Sequence, residues 1–165
     1  MEFKVIESAK DPLFSEALKL YDNKLDIGLD EDSKIFKRSL ENNKTENDYV
    51  LIVGIEKENI ISLATAHYEA TTNSAFLVHL LAVVDSNYNE IISQTLNEVE
   101  THLNILSNKV HSRDINFLMI EVPKHDNSIL DNQLIKRRHH ILLENDFEQQ
   151  YDIDYLHPNY TFEET

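Results

Sequence analysis

The sequence contains no cysteine. That removes disulfides, thiolate catalysis and zinc–thiolate sites together. Glycine is almost as scarce, with only Gly28 and Gly54 in 165 residues. A chain so poor in glycine has no Gly-x-Ser-x-Gly elbow, no phosphate-binding Gly-rich loop and no dinucleotide fingerprint. No lysine or arginine lies between Glu58 and Asn108, and the formal net charge is −15, with a pI near 4.8. Nucleic acid and anionic membrane both need a basic face, which this chain lacks. Long apolar runs are missing too, since none approaches the roughly 20 residues that span a bilayer. Met1 to Ser8 alternate like a strand and lack a signal-peptide core. The expectation is a cytoplasmic protein with no nucleic-acid or membrane partner.

The remaining composition is that of a globular domain, 41% hydrophobic and 27% charged. One domain over residues 1–160 is expected, followed by a short tail at 161–165. The acidic surface suits a cationic substrate such as an amine or polyamine, or serves solubility alone.

The chain is organised around Ala75 to Val110. Ala75 to Val84 is a near-unbroken apolar run, as in a strand buried on both faces. Asp85 to Asn89 breaks it. Ile92, Leu96, Val99, Leu103, Leu106 and Val110 then recur in steps of four and three, the stripe of one helix face. In open α/β sheets ligands bind at such strand-to-helix turns.

The other elements follow from local signals. Phe3 to Ser8 is a strand. Asp11 caps a helix with Pro12 at its first position and Phe14, Ala17, Leu18, Tyr21 and Leu25 inward. Asp26 to Asp32 is an acidic loop, and Ser33 to Leu40 a shorter helix. Tyr49 to Ile55 and Ile60 to Ala70 are strands, turned at Glu56 to Asn59 and at Thr71 to Asn73. Short turns make these two and the apolar run antiparallel neighbours. Ile115 to Val122 is a further strand, Ser128 starts a helix that reaches Leu142, and Phe147 onward alternates as a last strand. The order is β-α-α-β-β-β-α-β-α-β. This is an α/β (α+β) domain with a mixed, mostly antiparallel central sheet and helices on both faces.

This order, with a long helix leaving a central buried strand, resembles the GNAT acetyltransferase superfamily. Arg137 to Phe147 is similar to the family's segment in which an arginine-rich helix runs into Phe-Phe/Tyr-Glu-Lys-Asn/Leu-Gly-Phe; Arg138, Asn145 and Phe147 match it. Asp154 to Pro158 is similar to the Asp-Tyr-Val-Gln-Pro ending of some members. The resemblance implies an N-acetyltransferase that moves acetyl directly from acetyl-CoA to a small-molecule or peptide amine. No metal is implied, and a homodimer is compatible with it. It places the pantetheine arm along Leu81, Ala82, Val83 and Val84, and the pyrophosphate at Asn89, Glu90, Ile91, Ile92 and Ser93. There backbone N–H groups and the helix dipole would receive it.

The sequence also departs from the family. The pyrophosphate turn has no glycine, Glu90 brings a carboxylate to it, the family's acidic tyrosine aligns with Leu142, and the glycine before Phe147 is Asp146. Either the phosphates are still held by the backbone alone, or the domain is a non-catalytic binding or regulatory relative. Lys109, Lys124, Arg137 and Arg138 either reach the nucleotide end or are solvated surface charge.

For catalysis, His79 and Glu69 are the nearest equivalents of the family's base, and Tyr155 is a replacement acid. A hairpin in which residue numbers summing to about 146 face each other would set His67 opposite His79, either beside a cleft or as interior packing. His139 and His140 point about 100° apart on a helix, which is not zinc spacing.

Overall fold

The computed structural model describes residues 1–21, 49–83, 85–120, 136 and 140–148. The expected helix over 33–40, the strand beyond Phe147, and the C-terminal tail lie outside these residues. So do Val84, Lys124, Arg137, Arg138 and Tyr155.

Five strands form one sheet in chain order: β1 (Glu2–Val5), β2 (Tyr49–Glu56), β3 (Asn59–Glu69), β4 (Ser74–Ala82) and β5 (Phe117–Ile120). β1 to β4 are antiparallel neighbours, and β4 pairs with β5 in parallel. Helix α1 (Pro12–Tyr21) covers one face and helix α2 (Tyr88–His111) the other. The mixed, mostly antiparallel sheet between helices is the architecture the pattern predicts.

Each helix starts and stops for a local reason. Asp11 Oδ1 accepts the Leu13 N–H at 3.0 Å, the side-chain cap expected before Pro12. α1 buries Phe14, Ala17, Leu20 and Tyr21 against β2 and β3. α2 buries the expected stripe from Ile92 to Leu106 and extends it forward to Tyr88 and Ile91. The stripe ends one turn early, because Val110 is exposed at the helix end. Ser112 closes α2 in the left-handed conformation, φ 57°, with its N–H donating to Asn108 O.

Two irregularities set the register. Between Gly54 and Ile55 the pairing slips by one residue on β3. An alanine Cβ at Gly54 would fall on Ser62 Oγ and 3.1 Å from Phe3 Cε1, so only glycine fits. The space lets Ser62 reach Thr95 on α2, hydroxyl to hydroxyl at 2.8 Å, while Thr95 also donates to Ile91 O at 2.7 Å. The second slip falls between Thr65 and Ala66, where Val78 of β4 has no partner and forms a bulge.

That register corrects the expected pairing of His67 with His79. Pairing His67 with His79 needs numbers that sum to 146, whereas Glu69 lies opposite Ser74, a sum of 143, and the bulge beyond His67 raises it only to 144. His67 faces Phe76, and His79 faces Thr65. Both histidines lie on the α1 side of the sheet, but they are not a pair.

Candidate functional site

The polar turn after β4 leads into α2 as the sequence predicts. Asp85 Oδ1 accepts the Asn87 N–H at 2.8 Å, and Asp85 O accepts the Tyr88 N–H at 3.2 Å. No side chain caps α2. The N–H groups of Asn89 and Glu90 therefore stand at the positive end of a 24-residue helix without a capping partner. Asn89 and Glu90 are exposed, Ser93 is half-buried, and Ile91 and Ile92 are buried in the core. Only the backbone of the two isoleucines is available to a ligand. Tyr88, at 2% exposure, fills the space under the turn.

Leu81 and Ala82 are fully buried, on the α1 and α2 faces respectively, and Val83 is half-buried. Val83 donates its N–H to Ile61 O of β3 at 2.9 Å. By the alternation of a strand, Ala82 turns its own N–H and carbonyl to the opposite edge, on the β5 side. The described β4–β5 pairing ends at Leu77 and Ile120, short of that point.

Residues 140–147, the described part of the segment resembling the family's arginine-rich end, sit beside this turn. Asn145 Nδ2 donates to Ser93 Oγ at 3.1 Å and to Ile141 O at 2.8 Å. Residues 140–144 are helical and end in a Schellman close: Phe147 N–H donates to Leu142 O at 3.0 Å, and Asp146 N–H to Leu143 O at 3.2 Å. Asp146 takes φ 71°, the left-handed conformation that suits the glycine it replaces. Leu142 is a core residue packed with α2.

Of the two base candidates, His79 is 1% exposed, immediately after the Val78 bulge. Its ring meets the Tyr21 ring of α1 edge-on, with centroids 5.0 Å apart. Glu69 is exposed at the opposite end of the hairpin, where its Oε1 accepts the Thr71 N–H at 2.8 Å. Five strand residues separate its partner Ser74 from His79, about 16 Å at 3.3 Å per residue. The structure thus keeps the two candidates apart. Sequence reasoning did not single out Thr65, which faces His79 and is fully buried with a hydroxyl that has no hydrogen-bond partner.

The described residues contain no group of three or more side chains able to hold a metal. His140 Nε2 instead lies 2.7 Å from Glu144 Oε1 on an exposed helix face. A groove of about 630 Å³ lies toward the far end of α2, lined by Asn104, Ile105, Asn108 and Asp114 among others. Its polar atoms serve the fold: Asn104 Oδ1 accepts the Ile115 N–H, and Asn108 Nδ2 donates to Asp114. No described helix is long and apolar enough to cross a membrane.

The chain has the fold of the GNAT acetyltransferases. An aminoglycoside 6'-N-acetyltransferase from Acinetobacter haemolyticus superposes over 96% of this chain and 99% of its own, with a TM-score of 0.61 at 12% identity. A ribosomal-protein-alanine N-acetyltransferase from Brucella melitensis gives 0.57 at 12% identity, over 96% of this chain and 100% of its own. A GNAT family acetyltransferase from Staphylococcus aureus gives 0.53 at 14% identity, over 78% and 90%. No protein-family model and no curated protein sequence matches the chain. What is shared at these identities is the fold.

Proposed function

We propose that the chain is an acyl-CoA-dependent N-acetyltransferase that transfers acetyl directly to an amine, either a small molecule or a peptide. The observation that carries this reading is the Val78 bulge. It breaks the β4 ladder beside His79, on a strand whose Ala82 edge faces away from β3 and whose end runs into an uncapped helix start. Bulges re-aim backbone and side chains next to active sites.

Acetyl-CoA would supply the activated thioester. The Ala82 edge fits a pantetheine arm, and the Asn89 and Glu90 N–H groups fit an anion. The carboxylates of Asp85 and Glu90 oppose that anion. In this scheme β4 backbone amides hold the thioester carbonyl oxygen while the amine attacks its carbon. His79 takes the amine proton, and Tyr155 is the candidate that returns a proton to the departing thiolate. Glu69 is the weaker base candidate, since its carboxylate already serves the Thr71 N–H.

A second reading has one observation in its favour. Asp85 already directs a carboxylate to the Asn87 N–H, next to where phosphate would sit. A binding or regulatory module that has lost the phosphate site would look like this. Thermal denaturation with millimolar acetyl-CoA separates the two. A ligand at 100 times its dissociation constant adds about 2.7 kcal/mol. A clear upward shift supports the transferase, and no shift sinks it and leaves the module.

A further inference from the structure

A row of side chains crosses the sheet on its α1 face, one from each of four strands. Tyr49 of β2 lies opposite His67 of β3, His67 opposite Phe76 of β4, and Phe76 opposite Met119 of β5. Strands about 4.8 Å apart make the row roughly 14 Å long. Tyr49 belongs to the core under α1, and its ring lies 4.7 Å from the His67 ring. Beyond Tyr49 the row opens. His67 is exposed, Phe76 is half-buried and Met119 is 46% exposed. Phe117, on the same face and opposite Ser74, is 67% exposed. Among the described residues, Phe76, Phe117 and Met119 join neither hydrophobic core. An apolar surface left open in this way marks a place where something binds.

This floor adjoins the Val78 bulge, which begins two residues after Phe76, about 7 Å along β4. On the other side of the bulge α1 covers the sheet, over Leu63 and Leu81. A short alkylamine that ends in a ring spans the gap from floor to bulge. Charge narrows the ligand further. Glu69 is the only aspartate, glutamate, lysine or arginine in β3, β4 and β5. It stands exposed at the rim of the floor, opposite Ser74. An aromatic and thioether floor with one carboxylate at its rim suits an apolar ring and a single cation. A polycation calls for several carboxylates, and an anion for basic groups that these strands do not carry.

We propose that Phe76 and Met119, with Phe117 beside them, form the acceptor subsite for a small arylalkylamine, its ring on the floor and its nitrogen directed toward the Val78 bulge. This rests on the transferase reading and names the substrate class of that same site. The ring gains contacts with side chains that no core of the chain uses, and the bulge lies within reach of the amine.

The test labels the methionine methyl groups of the full chain, which has only Met1 and Met119, and assigns them by Met119→Leu. Phenethylamine is expected to move the Met119 signal saturably, through the ring current of the bound ring, and to leave Met1 in place. Spermidine and butylamine should move neither signal at the same concentration. Met119→Lys, at an exposed position, should weaken phenethylamine binding about tenfold, the usual scale for one lost apolar contact, as read from the broadening of the ligand's own resonances. Phe76→Ala should act in the same direction. A Met119 signal that no amine moves overturns the proposal. So does equal movement by all three amines, or a signal that shifts with protein concentration and so reports a second copy on this face. The titration needs no turnover. Phenethylamine that binds to a chain releasing no CoA thiol supports the floor and overturns the transferase reading. Where transfer is seen, kcat/KM for phenethylamine should exceed that for spermidine and fall in Met119→Lys, while KM for acetyl-CoA stays the same.

Discussion

Gly54 and Ser62 share one space. The β2 glycine leaves room for the β3 hydroxyl, and that hydroxyl meets Thr95 of α2. Gly54→Ala should therefore destabilise the fold by about 1–3 kcal/mol, the usual range for overpacking a filled interior. In a Ser62→Gly background the same change should cost clearly less. Denaturant midpoints of the four variants form the cycle that checks this, and additive effects would contradict the shared space.

The β2–β3 turn is built from residues ill suited to it. Lys57 and Glu58 have φ of 52° and 69°, so both are left-handed, as in a type I′ hairpin. Such positions favour asparagine and glycine, and other residues are strained by roughly 1–2 kcal/mol. Replacing Lys57 by Asn and Glu58 by Gly should raise stability by about 1 kcal/mol, once the added chain entropy of glycine is subtracted. Thermal melts measure this, and a loss of stability would contradict the turn assignment.

Asp146 offers a parallel case nearer the site. Its φ of 71° completes the Schellman close on Leu142 and Leu143. Asp146→Gly should stabilise by about 0.5–1 kcal/mol, the strain relieved less the entropy added. Asn145 should keep its contact with Ser93 in this variant, so acetyl-CoA binding should not weaken. Weaker binding would show that Asp146 acts through its side chain.

These cases show which features were legible in the sequence. The strand order and the long helix follow from an apolar run and a stripe, which depend on many residues at once. The Val78 bulge depends on a single extra residue, and no periodicity announces it. The expectation that His67 opposes His79 failed nearer the turn, since Glu69 opposite Ser74 already sets His67 against Phe76, and the bulge moves only the partners beyond it, His79 among them. Gly54 inside a strand was a readable sign of a bulge. Thr65 carried no signal at all, since an unpaired hydroxyl is visible only once its neighbours are placed.

The turn into α2 makes an electrostatic prediction. Asp85→Asn keeps an oxygen for the Asn87 N–H and removes a charge, and Glu90→Gln removes another. A like charge about 4 Å from a phosphate costs about 1 kcal/mol in water. The double variant should therefore bind acetyl-CoA at least fivefold tighter, with a weaker salt dependence, as read by calorimetry. Ser93→Glu should have the opposite effect, and it also breaks the contact from Asn145. Unchanged affinity in both variants would move the phosphate site away from this turn.

The central claim is that His79 serves acetyl transfer to an amine on this fold. It is tested by CoA thiol release from acetyl-CoA with and without polyamine or peptide amines, in wild type and His79→Gln. The account predicts amine-dependent release by the wild type. It predicts a loss of roughly 10²–10⁴-fold in kcat for His79→Gln, the usual contribution of a general base, with the acetyl-CoA thermal shift retained. Release that ignores His79, or no amine-dependent release from a chain that binds acetyl-CoA, would contradict it.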